Sequence, residues 1–116
     1  MKFDFRNLEV YKKAKLFHLG CLSILEETKP ANYVKDQLGR ASMSIVLNIA
    51  EGSGKFSKAD RRNFFVIARA SINECIAVID ILRDRQQITE EVFNFHLDSA
   101  DELSRMLFAM IKNLEK

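Results

Sequence analysis

Residues that interrupt helices are scarce in this chain, which has one proline and four glycines among its 116 residues. Pro30, Gly52 and Gly54 fall between long segments with helical periodicity, so we predict that these residues separate helices. No segment has the alternating pattern of a β-strand, so the sequence does not predict a β-sheet.

Cysteine and metal-binding motifs are scarce as well. Cys21 and Cys75 fall on the apolar sides of predicted helices and form no C-x-x-C pair. We therefore expect two reduced core thiols, and neither a disulfide nor a zinc site. Neither His18 nor His96 follows a glutamate at the Glu-x-x-His spacing of a di-iron bundle. We expect no metal and no cofactor, with both histidines at helix surfaces or boundaries.

Long apolar runs are also missing. No stretch approaches the roughly 20 apolar residues that cross a bilayer, and the start, MKFDFRNLEV, lacks the apolar centre of a signal peptide. We therefore expect no membrane partner and a cytoplasmic location. With 47% apolar and 29% charged residues, the chain is predicted to form a single domain over residues 1–116.

Four segments carry apolar residues at alternating strides of three and four, the pattern of amphipathic helices. The predicted helices cover about residues 8–26, 31–52, 58–85 and 90–115. Ser57 and Thr89 precede the last two, where their hydroxyl oxygens can accept hydrogen bonds from the first turn. Because the connections are short, the predicted fold is all-α, an antiparallel up-down-up-down four-helix bundle.

The third and fourth predicted helices each carry a second apolar row beside the first. A flank that faces solvent does not normally carry this much aliphatic surface, so we predict that these rows form an interface between copies of the chain. The alternative is a broad stripe buried within one bundle. The candidate interface residues are Phe65, Ile72, Ile76 and Ile79 in the third helix and Val92, Phe95, Met106 and Ile111 in the fourth.

The stretch NIAEGSGKFSKAD contains a Gly-Ser-Gly-Lys run that resembles the start of a phosphate-binding P-loop. A P-loop requires a glycine five residues before Gly54 and a Ser or Thr after the lysine, but Ile49 and Phe56 stand there. The segment before it is a helix and not a strand, so the P-loop is rejected. We predict instead that Gly52 or Gly54 ends the second helix in the left-handed conformation and that Ser57 caps the third.

A row of polar residues follows one side of the second helix, beside its apolar row. This row is either the solvated outer side of the helix or part of an interhelical hydrogen-bond network that fixes helix register. The candidate network residues are Gln37, Arg40, Ser44, Asn48 and Glu51, with Ser71 and Glu74 in the third helix. A catalytic pair of Glu51 and Glu74 is a further alternative, although no substrate-orienting set accompanies it.

Charge is unevenly distributed along this chain of net charge +2. Residues 1–58 carry ten Lys/Arg and six Asp/Glu, giving +4, and residues 59–116 carry eight and ten, giving −2. The basic residues either form solvated charged surfaces or bind phosphates with the help of exposed helix N-terminal amides. The candidate nucleic-acid contacts are Lys12, Lys13, Lys15, Lys55, Lys58, Arg61 and Arg62.

Three stretches carry a family resemblance: FRNLEVYKKA near the start, QLGRASMSIVLNIAEGSGKFSKADRRNFFVIARASINE in the middle and RMLFAMIKNL near the end. They resemble the four-helix bundle family of 23S rRNA intervening sequence proteins, also called S23-like proteins, over nearly the whole chain. The most specific part is the central N-I-A-E-G followed by A-x-x-S-x-x-E. The signature positions correspond to Gln37, Arg40, Ser44, Asn48, Glu51, Gly52, Ser71 and Glu74.

The resemblance implies a small bacterial protein without enzymatic activity that assembles into a pentameric ring. It also implies kinship with accessory variability determinant proteins of retroelements, which bind a reverse transcriptase and nucleic acid. The function we predict is a non-enzymatic, self-assembling scaffold or adaptor whose partner is RNA, DNA, a ribonucleoprotein or a neighbouring protein. The alternatives are a protein–protein module with no nucleic-acid role, and an enzyme that uses the two glutamates named above.

Overall fold

The computed structural model describes residues 2–115, in which four long helices follow a short 3₁₀ helix and no strand is present. The 3₁₀ helix covers Asp4–Asn7, and the α-helices are α1 (Glu9–Thr28), α2 (Asn32–Ser53), α3 (Lys58–Asp84) and α4 (Glu90–Leu114). Each helix bound lies within two residues of the one predicted from apolar periodicity.

Side-chain caps begin the last two helices, as the sequence predicted. Ser57 Oγ accepts a hydrogen bond from the Asp60 backbone N–H at 3.1 Å, and Thr89 Oγ1 accepts one from the Val92 N–H at 3.1 Å. Each bond satisfies one of the N–H groups that a helix leaves unpaired in its first turn. The two caps therefore fix where α3 and α4 begin.

The predicted left-handed glycine at the end of α2 is wrong, because no glycine has a positive φ. Gly54 has φ −91° and ψ −4°, and the helix closes with hydrogen bonds from Gly54 N–H to Glu51 O and from Lys55 N–H to Gly52 O. Gly52 serves close packing instead. A Cβ at this position would lie 2.8 Å from Cε1 of Phe65 and 2.9 Å from Cβ of Phe64.

Left-handed backbone occurs at other helix ends, on residues that have side chains. Lys29 has φ 47° after α1, and Gln86 has φ 60° after α3. The Lys29 N–H donates to Leu25 O at 3.0 Å, and the Gln87 N–H donates to Leu82 O at 3.0 Å. These bonds satisfy carbonyls of the last turns and stabilise a conformation that a side chain disfavours.

The four helices surround one apolar core. α1 and α3 each pack against both α2 and α4, whereas no Cα of α1 lies within 8 Å of α3 and none of α2 within 8 Å of α4. Contacts between α2 and α3 run in opposite directions along the two helices, since Gln37 meets Glu74 and Ser44 meets Ser71. Contacts between α3 and α4 also run in opposite directions, since Arg62 meets Glu115 and Arg83 meets Glu90.

The second apolar rows predicted as an interface lie mostly inside this core. Phe65, Ile72, Ile79 and Ile111 are at most 7% exposed, so the surface placement predicted for them is wrong. Ile76, Val92 and Met106 are partly buried against the same core, and of the predicted set only Phe95 is largely exposed, at 67%. The reason is that α3 and α4 each pack against two neighbouring helices. The buried part of each helix surface is therefore wider than a single row of apolar side chains.

The two cysteines meet in the middle of the core, and both are fully buried. The neighbouring Cys21 side chain, together with burial, raises the pKa of the Cys75 thiol far above its usual range. A disulfide requires Cα atoms about 4.4–6.8 Å apart, and the Cα atoms of α1 and α3 are more than 8 Å apart. A disulfide between the two thiols would therefore require α1 and α3 to move closer together.

Candidate interaction surfaces

The polar row of α2 lies along the groove between α2 and α3. Gln37 Nε2 donates to Glu74 Oε2 across this groove. About two turns further along α2, Ser71 Oγ donates to Ser44 Oγ at 3.1 Å, and Asn48 Nδ2 donates to Ser44 O at 2.8 Å. Five of the seven candidate network residues are thus brought together, in two separate clusters that tie α2 to α3.

The other two candidates, Arg40 and Glu51, are exposed and take no part in these clusters. They flank Met43 and Leu47, which are 43% and 54% exposed. The four residues border a shallow depression of about 450 Å³ on the outer side of α2. We call this surface the α2–α3 face, and it consists of Gln37, Arg40, Met43, Ser44, Leu47, Asn48 and Glu51 with Ser71 and Glu74.

The two glutamates considered as a catalytic pair lie far apart. Glu74 meets Gln37, which precedes Glu51 by fourteen residues on the same helix. At 1.5 Å per residue this separation is about 20 Å, whereas carboxylates that flank one reacting bond are at most about 10 Å apart. Both side chains also face solvent, so the pairing of Glu51 with Glu74 is excluded.

A second apolar surface lies on the opposite side of the bundle, between α1 and α4. Leu16 and Phe95 are 68% and 67% exposed beside an open depression of about 230 Å³. Lys13 Nζ and a carboxylate oxygen of Glu102 form an ion pair of 3.1 Å at its edge. We call this surface the α1–α4 face, and it consists of Lys13, Leu16, Phe17, Gly20, Phe95, His96, Ser99 and Glu102.

His96 forms the floor of this depression, so its predicted place at a helix surface or boundary is wrong. It is 7% exposed, and its Nδ1 bonds the Val92 carbonyl at 2.9 Å. Because a carbonyl only accepts, Nδ1 carries the proton, and Nε2 has no hydrogen-bond partner. A Cβ on Gly20 would lie 2.9 Å from this Nε2. The presence of Gly20 inside a helix is the sequence feature that could have indicated this close contact with His96.

The junction of α2 and α3 holds four of the predicted nucleic-acid contacts and the fully exposed side chain of Phe56. We call Lys55, Phe56, Lys58, Arg61 and Arg62 the basic corner. Arg61 Nε donates to Lys55 O at 2.6 Å, and Lys55 Nζ lies 5.1 Å from the ring centroid of Phe64. Arg61 therefore holds the turn from inside, while Phe56 projects from it.

Several of the predicted cationic contacts already have partners. Lys12 pairs with Glu9 at 3.7 Å, Lys13 pairs with Glu102 at 3.1 Å, and Lys15 Nζ lies 4.9 Å from the ring centroid of Tyr11. Arg62 pairs with Glu115 at 3.2 Å. Hydrogen bonds from Lys112 and Arg62 lower the pKa of Glu115. Such exposed pairs contribute little, about 0–1 kcal/mol, and can exchange for a phosphate.

Residues 2–115 contain neither a metal-binding cluster nor a membrane-spanning helix. No group of three or more His, Cys, Asp or Glu side chains in this part of the chain is arranged to hold a metal ion. No helix there combines the length and the apolar character needed to cross a membrane.

Comparisons with known proteins assign a family. The family model described as 23S rRNA-intervening sequence protein matches residues 6–109. A crystal structure of a protein of unknown function from the S23 ribosomal protein family of Bacteroides thetaiotaomicron VPI-5482 is similar, with 26% sequence identity and a TM-score of 0.82. The match covers 89% of this chain and 98% of that one, and no curated protein matches. The chain therefore belongs to the 23S rRNA-intervening sequence protein family.

Proposed function

We propose that this chain is a non-enzymatic scaffold or adaptor that assembles with copies of itself and binds nucleic acid or a ribonucleoprotein through its basic patches. Its unit is one antiparallel up-down-up-down bundle, located in the cytoplasm. This topology is supported by the contacts of α2 with α3 and of α3 with α4, in which residue numbers rise along one helix and fall along the other.

The observation that carries self-assembly is a pair of apolar surfaces on opposite sides of the bundle. α1 is diagonal to α3 and α2 is diagonal to α4, so the α1–α4 face lies opposite the α2–α3 face. Leu16 and Phe95 are exposed on one, and Met43 and Leu47 are exposed on the other. Exposed aliphatic and aromatic side chains grouped in this way are typical of protein–protein contacts.

Two different surfaces on opposite sides favour a head-to-tail contact, in which one face of each copy meets the other face of the next. Contacts of this kind close into a ring when the rotation between neighbours divides a full turn. We therefore propose a ring, and the family resemblance suggests five copies. Of the interface residues predicted from the sequence, Phe95 is the one that this proposal places in a contact between copies as an exposed side chain.

The mixing of two variants tests this arrangement. Leu47→Asp damages only the α2–α3 face and Phe95→Asp only the α1–α4 face, and both side chains are exposed enough for the fold to accept the change. Each variant alone is expected to have the mass of a single chain by light scattering. Mixed together, they retain one intact pair of complementary faces and are expected to form dimers.

Leu97→Asp is the matched control, because Leu97 is 40% exposed on the side between α3 and α4. It is expected to leave the mass of the assembly unchanged. A single-chain mass for the unaltered protein, or a mixture of the two variants that stays as single chains, contradicts head-to-tail assembly.

The nucleic-acid part of the proposal rests on the basic corner, which places four cations within eight residues at the junction of α2 and α3. In a ring, the corner is repeated around the axis, so that weak contacts add through multivalency. Binding of structured RNA and DNA is measured across salt concentrations, and a steep loss of affinity with salt is expected because phosphate contacts release counterions. Absence of binding at low salt removes this part of the proposal.

A protein–protein module with no nucleic-acid role is the second candidate. It is favoured by the ion pairs of Lys12, Lys13 and Arg62, which already neutralise three of the proposed phosphate contacts. Co-purification from the native host distinguishes the two candidates. A stable protein partner recovered without nucleic acid, together with salt-insensitive behaviour of the pure protein, supports the module.

A further inference from the structure

Phe56 is the most exposed of the large apolar side chains described, with its whole side chain in solvent. It stands at the tip of the basic corner, between Lys55 and Lys58 in the chain. Large aromatic side chains are usually buried, and an isolated exposed one has no folding role to explain it. The surface of this ring is therefore available for contact with a ligand.

The backbone around Phe56 is held in place. The Gly54 N–H donates to Glu51 O at 3.1 Å and the Lys55 N–H donates to Gly52 O at 3.2 Å, so the turn continues the hydrogen bonding of α2. On the other side, the Ser57 cap starts α3, and Arg61 Nε bonds Lys55 O at 2.6 Å. Because the turn is fixed on both sides, little conformational entropy is lost when a ligand packs on the ring.

The charges around the ring indicate which ligand fits. Lys55, Lys58, Arg61 and Arg62 lie within six residues of Phe56, against the two acids Glu51 and Asp60 over the same span. Glu115 adds a third carboxylate through its ion pair with Arg62. His18, near the middle of α1, contacts Ser42, near the middle of α2, so the start of α1 lies at the same end of the bundle as the end of α2. The 3₁₀ helix before α1 packs against α2 and brings Arg6 to this end as well. A ligand for this end therefore combines a flat apolar group with negative charge a short distance away.

We propose that Phe56 stacks against an unpaired base of single-stranded nucleic acid while Lys55 and Lys58 contact the flanking phosphates. This inference rests on the proposed nucleic-acid role and adds to it the form of the ligand. A base in a duplex is already stacked on both sides, whereas a single strand leaves its bases free for an aromatic side chain. Stacking on an aromatic ring depends weakly on sequence because every base has a π-face.

The chain has no tryptophan, which allows a direct test. In Phe56→Trp the indole is the sole tryptophan of the protein and keeps a stacking surface. A single-stranded oligonucleotide of about twelve nucleotides is expected to quench its fluorescence, and a blunt duplex of the same sequence is expected not to. Tyr33→Trp is the matched control, because Tyr33 is 78% exposed at the opposite end of α2, and its fluorescence is expected to stay constant.

Affinity gives a second readout. Phe56→Ala is expected to weaken single-strand binding about tenfold, since it removes the aromatic surface on which one base stacks. Phe56→Tyr keeps the ring and is expected to bind as the unaltered protein does. Duplex affinity is expected to be the same in all three, because phosphate contacts alone supply it.

The other possible occupants of Phe56 each leave a distinct result that overturns the inference. A blue shift of the Phe56→Trp emission on vesicles of anionic phospholipid, without quenching by the oligonucleotide, assigns the side chain to a membrane surface. A smaller solution mass for Phe56→Ala assigns it to contacts between copies. If the unaltered protein binds neither strand form, the proposed nucleic-acid role fails as well. If it binds with steep salt dependence while the tryptophan stays silent, only the stacking of Phe56 fails.

Discussion

At the α2–α3 junction the chain turns through Gly54 with right-handed backbone, whereas at the α3–α4 junction it reverses through Gln86 with φ 60°. The first turn is held by close packing of Gly52 and by the bond of Arg61 to the Lys55 carbonyl. At the second, Arg83 bonds Asp80 at 2.7 Å and lies 4.1 Å from the ring centroid of Phe93.

The two ends also differ in charge. The basic corner carries four cations around an exposed aromatic ring, and the α3–α4 end carries Asp80, Asp84, Glu90 and Glu91. Left-handed backbone does not distinguish the two ends, because Phe3 has φ 58° before the 3₁₀ helix and Gln86 has φ 60° after α3. The end that we propose for ligand binding therefore differs from the other in its charge and in its exposed ring.

Gly52→Ala is expected to have the largest effect, because the new Cβ meets Phe65 and Phe64 at 2.8 and 2.9 Å. Overpacking of a core costs about 1–3 kcal/mol, which exceeds the gain of up to about 1 kcal/mol from replacing glycine in a helix. We expect a net loss of about 1–2 kcal/mol in the free energy of unfolding, measured by urea denaturation. Gly39→Ala in the same helix meets nothing within 4 Å and is expected to be stabilising. Equal effects of the two variants contradict this account.

Arg61→Ala is expected to destabilise the protein by about 1.5 kcal/mol, because it removes a charged donor from the Lys55 carbonyl. Arg62→Ala is the control on the neighbouring residue. Its ion pair with Glu115 is exposed and screened by solvent, so a smaller loss than that of Arg61→Ala is expected. Thermal unfolding of both variants at one pH separates the two roles, and an Arg62 effect equal to that of Arg61 rejects the distinction.

Gln86→Gly is expected to have the smallest effect and the opposite sign. Left-handed backbone costs a residue with a Cβ roughly 1 kcal/mol, which glycine avoids, so the free energy of unfolding should rise by about 0.5–1 kcal/mol. Gln87→Gly, at a neighbour without a positive φ, is expected to lower it slightly. A loss of stability in Gln86→Gly would show that the side chain of Gln86 matters more than its backbone.

Much of the fold could be predicted from local signals. Apolar residues at helical strides located all four helices, and the hydroxyls of Ser57 and Thr89 marked the starts of two of them. These signals depend on a few neighbouring residues, which the sequence states directly. The polar row of α2 was predicted as either solvated or networked, and it is both, because Ser44 and Asn48 reach inward while Arg40 remains in solvent.

The errors arose where the answer depended on distant parts of the chain. Periodicity gives the direction of a side chain around its helix but not the width of the buried arc, so Ile72 and Ile79 were assigned to the outside. Gly52 was interpreted as a turn residue, because its close neighbour Phe65 lies thirteen positions away. The burial of His96 depends on the close approach of Gly20 in another helix, and the residues around His96 itself do not mark that contact.

The meeting of Cys21 and Cys75 in the core has a practical consequence for experiments. Both sulfur atoms are shielded from solvent in the folded protein, so a maleimide has no native target as long as the bundle is intact. A cysteine introduced on the surface becomes the one attachment point for a dye or spin label. The rate at which the native thiols react with such a reagent then measures how often the four helices separate.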